Sequence, residues 1–199
     1  MALATQTHVE SLTIDKSVNL QILNYSAKEF REYQLSASGR QYDKLVVAAA
    51  ILRHIPNLAS SNMPKILLLK RAPHEPYFPN IFELPSGKVD LNDLTLKHAL
   101  VREVKEETGL YITKILTQLG PMTYQTEKTV RSDTGIEASV VKSAIQLNYV
   151  VSVSDGMVKL SVNEHSESRW ASEEEFNELD ITTETKAIIR EAFQWSASQ

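Results

Sequence analysis

The stretch from Gly87 to Leu110 reads GKVDLNDLTLKHALVREVKEETGL. Its second half places Glu103, Glu106 and Glu107 within five positions. At 100° per residue these three side chains fall on an arc of about 100° around a helix. Apolar side chains fall mainly on another side of the same helix: Leu94, Leu100, Val101 and Val104. The stretch therefore predicts one helix with a carboxylate face and an apolar face that packs on a core.

The carboxylate face is electrostatically unfavourable without a cation. Like charges three and four residues apart on a helix repel each other by a few tenths of a kcal/mol per pair. Gly109 is placed to form a left-handed cap, so Glu106 and Glu107 lie in the last turn, where anions oppose the helix dipole. A hard divalent cation such as Mg²⁺ would relieve both effects. On spacing alone, a solvated acidic helix end partly neutralised by Arg102 and Lys105 is an equal alternative.

This stretch resembles the signature of the Nudix hydrolases, G-x5-E-x7-R-E-U-x-E-E-x-G-U, in which U is a bulky aliphatic residue. Residues 102–110 match its second half at every specified position. Upstream pieces are also similar to the family: Lys70-Arg71 at the end of an expected strand, then PNIFELPSG at 79–87. The likeness extends loosely over residues 44–195. It implies an α/β fold, a Nudix-type α/β/α sandwich with a mixed central sheet.

The first half of the signature departs from the family pattern in two ways. The spacing from Gly87 to Arg102 is one residue longer than usual, and the first glutamate is replaced by Asp93 or Leu94, depending on where the extra residue is placed. The loop at 89–93 is rich in turn-forming residues and can absorb an insertion. We expect Asp93 to cap the N-terminus of the helix, because a short carboxylate suits that position.

The resemblance implies a metal site and part of the catalytic machinery. Glu103, Glu106 and Glu107 are implied as ligands of Mg²⁺ or Mn²⁺, with a backbone carbonyl at Gly87 nearby. Gly87 has no side chain to obstruct the approach of metal or phosphate. Arg102 is expected to orient one of the glutamates and to fix the helix to the loop, alongside an ordinary pair with Glu106.

The general base is expected either on a signature glutamate or in a later loop. The segment NEHSESRW at 163–170 offers Glu164 and Glu167. We take Glu164 as the catalytic candidate, because an exposed acid in a polar turn is the simpler interpretation of Glu167. His165 could touch substrate, but a single histidine near a tryptophan is more often structural or on the surface.

Substrate contacts are expected upstream of the helix. Arg71, Tyr77 and Phe78 lie where members of the family bind phosphate or stack a base. Glu83 and Ser86, in the approach to Gly87, complete the candidates. Packing beneath a proline-rich loop is an equal alternative for the first three residues.

Composition bounds the remaining possibilities. A chain of 199 residues, 42% of them hydrophobic, fits one domain; we divide it into an N-terminal extension packed on the domain, residues 1–43, and a Nudix hydrolase domain, residues 44–199. The net charge of −4 and the lack of a basic stripe argue against a nucleic acid polymer as partner. The absence of cysteine excludes disulfides and thiolate chemistry.

No signal-like start or membrane-length apolar run is present, so we expect a cytoplasmic protein without membrane contacts. The sequence leaves open whether the protein forms a homodimer.

Local patterns also predict the other elements. Residues 1–16 read as a loose arm, 56–64 as a variable loop and 125–142 as a polar stretch. The resemblance implies that substrate specificity lies in loops such as the one at 125–142. We expect strands at 18–25, 44–54, 65–71, 111–124, 144–153, 157–162 and 168–171. The Asp155-Gly156 pair predicts a hairpin turn between the strands at 144–153 and 157–162. We expect helices at 27–36, 172–179 and 183–195, in addition to the helix of the signature.

The function implied is metal-dependent hydrolysis of the pyrophosphate linkage in a nucleoside diphosphate derivative or a related small organic diphosphate. Two alternatives stay open: a Nudix-fold module that binds a ligand or regulates without turnover, and a hydrolase of isoprenyl diphosphates. An isoprenyl diphosphate isomerase is excluded, because those enzymes resemble a pattern with a catalytic cysteine that this chain lacks.

Overall fold

The computed structural model describes residues 9–53, 64–131 and 137–199. Within them the strands are β1 (Thr13–Ile14), β2 (Lys44–Arg53), β3 (Lys65–Arg71), β4 (Phe82–Glu83), β5 (Ser86–Lys88), β6 (Ile112–Gln118), β7 (Met122–Arg131), β8 (Glu137–Val153) and β9 (His165–Ala171). The helices are α1 (Leu20–Leu23), α2 (Ala27–Ser38), α3 (Leu96–Thr108) and α4 (Thr183–Ala197), with a 3₁₀ turn at Glu175–Glu178 before α4.

The strands form a mixed sheet around β2. Strand β2 runs parallel to β8, and β8 pairs antiparallel with both β6 and β7. On its other side β2 pairs antiparallel with β5 and, at its end, with β3. Strand β3 in turn pairs with β4 and β9, and the short β1 runs parallel to β6. The pairing places β5, and with it Gly87, alongside the middle of β2.

Alternate residues of β2 face two different helical layers, because side chains alternate across a strand. Val47, Ala49 and Ile51 pack in the cluster that contains the apolar side of α3, together with residues of α1 and α2. Ala48 and Ala50 pack in the cluster that contains α4 and the 3₁₀ turn. The expected α/β/α sandwich with a mixed central sheet is confirmed.

The N-terminal segment is more ordered than the sequence suggested. The expectation of a loose arm is wrong for residues 9–16, because Val9 is buried and β1 pairs with β6; residues 1–8 lie outside the described part. The strand expected at 18–25 is also wrong, because a helix, α1, forms there. The Asn19 side chain caps this helix by accepting a hydrogen bond from the amide of Ile22.

The second half of the chain also differs from expectation. The strand expected at 111–124 is two strands, β6 and β7, separated at Gly120-Pro121, where proline removes a ladder donor. The polar stretch at 125–142 is instead the long antiparallel pairing of β7 with β8, although its tip at 132–136 lies outside the described residues. The strands expected at 44–54, 65–71 and 168–171 and the helices expected at 27–36 and 183–195 are present, with ends shifted by a few residues. The helix expected at 172–179 is only the 3₁₀ turn at Glu175–Glu178. The variable loop expected at 56–64 falls almost entirely outside the described residues.

The hairpin expected across Asp155-Gly156 is wrong. The segment at 157–162 is no strand, because its backbone amides are used elsewhere. The amide of Lys159 donates to the carbonyl of Thr108, at 2.8 Å, and that of Ser161 donates to the carbonyl of Glu107, at 3.2 Å. These carbonyls end α3 and have no partner inside the helix. The segment therefore caps α3 instead of extending the sheet.

Residues 9–53, 64–131 and 137–199 include no helix that combines the length and the apolar character needed to cross a membrane.

Candidate active site

Helix α3 begins and ends at residues that suit those roles. The Thr95 side chain caps its N-terminus by accepting from the amide of His98, so the expectation that Asp93 is the cap is wrong. Gly109 ends the helix with φ of 71°, the left-handed cap expected from the sequence. Leu94 precedes the helix and its exposed fraction is 60%, so it does not belong to the apolar face.

Asp93 binds Arg102 instead of capping the helix. Its carboxylate accepts two hydrogen bonds from the guanidinium: from Nε at 3.0 Å and from Nη2 at 2.7 Å. Arg102 also donates to Glu106, at 2.9 Å, and to the backbone carbonyl of Lys88, at 3.1 Å. The hydrogen bonds with Asp93 are the largest cause of the raised pKa of Arg102. Arg102 thus fixes α3 to the loop before it, as expected.

Glu103 lies directly against the backbone of β5. A Cβ atom added to Gly87 would come within 2.1 Å of the Glu103 carboxyl carbon, so no other residue fits there without a shift. Arg102 forms an ion pair with Glu103, at 2.8 Å between Nη1 and Oε1. Burial nevertheless raises the pKa of Glu103 to about 7. Gly87 therefore allows the buried carboxyl group of Glu103 to pack closely against β5.

Glu107 is the most buried acid of the cluster, with 6% of its side chain exposed. Its Oε2 accepts a hydrogen bond from the amide of Ser86, at 2.8 Å. Burial raises its pKa well above the usual value, and the charges of Glu83, Glu103 and Glu164 add to that rise. Glu106 differs from both neighbours, because 57% of its side chain is exposed and its carboxylate is held by Arg102.

The later acidic segment reaches the same place. Glu107, Glu164 and His165 each offer one ligand atom, and the three atoms lie within 4.8 Å of one another. Glu164 is exposed, so its carboxylate can face both solvent and the buried Glu107. Glu167 instead pairs with Arg169, at 3.0 Å. Of the two acids weighed as general base, Glu164 is the one placed beside the cluster.

The sequence did not predict the position of His165. Its side chain is buried, and Nε2 lies 3.4 Å from Oε1 of Glu83 and 3.8 Å from Oε1 of Glu107. It reaches them because β9 pairs with β3, which places His165 opposite Arg71. The only available signal was its position next to Glu164, and that does not reveal the pairing of distant strands.

The upstream residues form one wall of a cleft of about 500 Å³. This wall includes the predicted residues Arg71, Phe78, Glu83, Ser86 and Gly87. Lys44 and Tyr124, which the sequence did not single out, also line the cleft. Phe78 has φ of 51° and 43% exposure, so its backbone adopts a conformation that is rare for a bulky residue while its ring stays accessible.

Arg71 is held by carboxylates. Its Nη1 donates to Glu83, at 2.7 Å, its Nη2 donates to Glu75, and its Nε donates to the carbonyl of Tyr77, at 2.9 Å. Burial lowers the pKa of Arg71, but Glu83 and Glu75 outweigh that effect and the pKa is raised. Arg71 therefore organises the cleft wall and shares its charge between two acids.

Lys44 is a partly buried cation that lines the cleft. Its Nζ donates to the Thr126 hydroxyl, at 2.9 Å, and lies 4.5 Å from the centre of the Tyr77 ring. Burial lowers its pKa, and the charges of Lys142 and Lys88 lower it further. The cleft thus contains a partly buried amine, and the clustered acids lie beside its residues Ser86 and Gly87.

The acidic end suits a hard divalent cation. Two largely buried carboxyl groups, those of Glu103 and Glu107, lie beside the backbone of β5 with raised pKa values, and Glu164 adds a third oxygen donor. Oxygen ligands of this kind are those that Mg²⁺ and Mn²⁺ prefer. A cation there would offset the mutual repulsion of the carboxylates, so the residues present fit such an ion.

A mixed sheet between two helical layers, with clustered acids at the mouth of one cleft, defines the structural class of this protein. The family model of the NUDIX domain matches residues 54–192. The chain belongs to the Nudix family.

Individual relatives agree with this family. The ADP-ribose pyrophosphatase of Methanocaldococcus jannaschii is 35% identical over 97 residues, which are 44% of this chain and 55% of that protein. The chain thus spans about half the length of the curated relative that it matches.

Solved structures show the same fold at low identity. The NUDIX domain of Shewanella oneidensis NrtR, complexed with ADP ribose, has a TM-score of 0.54 and 16% identity, covering 82% of this chain and 97% of that one. The MutT protein of Methanosarcina mazei Go1 has a TM-score of 0.52 and 24% identity, covering 78% and 96%.

Proposed function

We propose that this protein is a divalent-metal-dependent hydrolase that cleaves the pyrophosphate linkage of a nucleoside diphosphate derivative, with ADP-ribose as the first candidate substrate. The observation that carries the proposal is the cluster of acids beside a substrate-sized cleft: Glu107 lies close to Glu164, and the cleft residues Ser86 and Gly87 lie against Glu107 and Glu103. The relative named as an ADP-ribose pyrophosphatase supports the choice of substrate.

The acidic residues have separate roles in this proposal. Glu103 and Glu107 would hold Mg²⁺ or Mn²⁺ near the backbone of Gly87, and Glu164 would act on the attacking water. When bound, the cation neutralises charge on the diphosphate oxygens and lowers the pKa of coordinated water. Glu106 could add a ligand through Oε1, because Arg102 binds its Oε2.

Glu164 is the general base in this scheme. Water attacks one phosphorus atom, its proton passes to the Glu164 carboxylate, and the bond from that phosphorus to the bridging oxygen breaks. The bridging oxygen leaves on the second phosphoryl group, so two phosphate monoesters result. Glu164 suits this task because it is exposed at the cleft and lies beside buried Glu107.

One observation favours a second candidate substrate. The cleft wall also contains the apolar side chains of Phe78, Ile81 and Leu84. Such a surface would accommodate an isoprenyl chain as well as a base. Hydrolysis of isoprenyl diphosphates is therefore the second candidate.

The third candidate, a binding module without turnover, has weaker support. The absence of the first signature glutamate suggested it, but Asp93 at that place forms two hydrogen bonds with Arg102. The loop and the helix are therefore connected in spite of the substitution. The buried carboxyl groups of Glu103 and Glu107 also have no evident use in a module that binds no cation.

The decisive experiment measures hydrolysis of a substrate panel with Mg²⁺ or Mn²⁺. The panel contains ADP-ribose, other nucleoside diphosphate derivatives and isopentenyl diphosphate. We expect release of AMP from ADP-ribose, with a loss of about 100-fold or more in kcat for Glu107→Gln, because a carboxylate that binds the metal is removed. Glu106→Gln is expected to lose activity as well, and Glu167→Gln, with its acid paired to Arg169, is the matched control.

The outcomes separate the candidates. Turnover of isopentenyl diphosphate alone would favour the second candidate. Binding of ADP-ribose without turnover of any diphosphate would favour the binding module. Equal activity of wild type and Glu107→Gln would show that the carboxylate cluster is not the metal site.

A further inference from the structure

His165 is a buried side chain at the active-site cluster for which the proposed chemistry has no use. Only 1% of its side chain is exposed. Its backbone amide donates to the carbonyl of Ser161, at 2.9 Å, and the register between β3 and β9 shifts at Lys70/Arg71, opposite this residue. The imidazole is buried near Glu83, on β4, and Glu107, on α3.

The imidazole stands between two acids that belong to different elements. Its Nε2 lies 3.4 Å from Oε1 of Glu83, on β4, and 3.8 Å from Oε1 of Glu107, on α3. The same oxygen of Glu83 accepts from Arg71, at 2.7 Å. The other ring nitrogen, Nδ1, is buried and has no hydrogen-bond partner among the described residues.

These contacts indicate which ring nitrogen carries the proton. A carboxylate paired with an arginine only accepts hydrogen bonds, so the nitrogen that faces Glu83 must be a donor. A proton on Nδ1 alone would leave a buried N–H without a partner and would direct the Nε2 lone pair at two acids. Both consequences are unfavourable. The tautomer protonated at Nε2 leaves only an unpaired lone pair on Nδ1, which is less unfavourable.

We propose that His165 is a positioning residue, whose Nε2–H donates a hydrogen bond to the carboxylate of Glu83 and faces that of Glu107. The N–H offsets part of the repulsion between the two acids. It also lies against Oε1 of Glu107, the oxygen not bonded to Ser86. Through Glu83 it connects Arg71 in the cleft wall to the acidic turn of α3. Only its effect on turnover rests on the proposed function.

A direct ligand role for His165 is less favourable. Coordination through Nε2 would break its contact with Glu83. It would also bring a divalent cation close to the Arg71 guanidinium, which shares that Glu83 oxygen. Two cations at that separation would repel each other. A role as hydrogen-bond donor therefore agrees better with the surroundings of His165 Nε2 than a role as metal ligand.

Three substitutions separate a hydrogen-bond role from simple packing. His165→Gln places an amide N–H near the position of Nε2, and His165→Met fills similar volume without a donor. His98→Gln is the matched control, because His98 lies on α3, hydrogen-bonds to Thr95 and does not line the cleft. Circular dichroism and thermal unfolding establish that each variant is folded.

The first readout is the affinity for Mn²⁺ alone, measured by electron paramagnetic resonance titration. We expect His165→Met to weaken Mn²⁺ binding by about 10-fold or more, as does loss of other groups that orient metal ligands. His165→Gln is expected to stay within about 3-fold of wild type, and His98→Gln to be unchanged. With a turned-over substrate, kcat should fall in His165→Met and recover in His165→Gln.

The second readout uses the wild-type protein and does not depend on the variants. Nitrogen-15 NMR of labelled histidine reports which nitrogen of His165 is protonated, and we expect Nε2. A proton on Nδ1 alone would overturn the proposal, as would Mn²⁺ binding by His165→Met that equals that of wild type. Direct coupling between Mn²⁺ and an imidazole nitrogen would make His165 a ligand and also overturn it. Failure of every diphosphate to turn over would contradict the proposed function but leave both readouts valid.

Discussion

The carboxyl group of Glu103 has its pKa raised from 4.5 to about 7, chiefly by burial and in spite of Arg102. Between these two pH values the folded protein binds more protons at Glu103 than the unfolded chain does. Stability therefore decreases as pH rises through this window, and the loss is complete above pH 7. We expect the metal-free protein to have a lower Tm at pH 8 than at pH 5.5 from this contribution.

Thermal unfolding in EDTA across this range measures the effect, and Glu103→Gln is the comparison. The Tm of the variant should decrease less with rising pH than that of the wild type. The decrease that remains should come from Glu107, whose pKa is also raised. Mn²⁺ should raise the Tm more at pH 8 than at pH 5.5, because the ligands must be deprotonated to bind it. An identical pH dependence in wild type and Glu103→Gln would contradict the assignment.

At the scale of residues, the sequence predicted the positions that depend on spacing within one helix. It did not predict the positions that depend on contacts between distant segments. The positions of Glu103 and Glu107 beside Gly87 follow from a local pattern of one helix and one loop. His165 and Lys44 reach the cleft through strand pairings with β3 and β8, which no local pattern reveals. The different burial of Glu106 and Glu107, adjacent in sequence, also depends on how α3 packs against the sheet.

The connection between helix α3 and the loop before it depends on Asp93. Its carboxylate, 6% exposed, binds Arg102 through two oxygens and also accepts from the amide of Asp90, at 2.8 Å. In Asp93→Asn an amide group would face the guanidinium, so one charge-assisted contact would be lost. We expect the free energy of unfolding to fall by about 1–3 kcal/mol, measured by urea denaturation.

Asp90→Asn is the control at the same loop. Asp90 lies 3.9 Å from Arg102 with 60% of its side chain exposed, and exposed pairs contribute about 0–1 kcal/mol. Equal effects of the two substitutions would mean that the net charge of the loop matters, and not the bonds of Asp93 to Arg102.

At the scale of elements, the sequence predicted helices better than the connections between strands. Caps and apolar periodicity define α2, α3 and α4 locally. The segment at 157–162 has a strand-like composition, but its amides satisfy the carbonyls at the end of α3, so tertiary hydrogen bonding overrides the local pattern. In the same way, the polar residues of 125–142 pair with each other in a ladder that composition alone did not predict.

The whole molecule depends on its N-terminal segment for one face of the core. Side chains from this segment belong to the same buried cluster as α3: Val9, Val18, Leu23, Ala27 and Phe30. The carbonyl of Tyr25 also accepts from the amide of Leu96, at 2.8 Å, in the first turn of α3. The division into an extension at 1–43 and a domain at 44–199 stays a prediction, although the segment covers the helix that carries the acids.

Phe30 tests whether this segment is structurally required. Its side chain is 2% exposed in the cluster around α3, so Phe30→Ala would leave a cavity in the core. We expect a loss of about 3–5 kcal/mol in the free energy of unfolding, measured by urea denaturation. Leu35→Ala, on the same helix with 44% exposure, should change it by no more than about 0.5 kcal/mol. If Phe30→Ala were as stable as Leu35→Ala, the N-terminal helices would be dispensable to the core, and α3 would hold its acids in place by its contacts with the sheet alone.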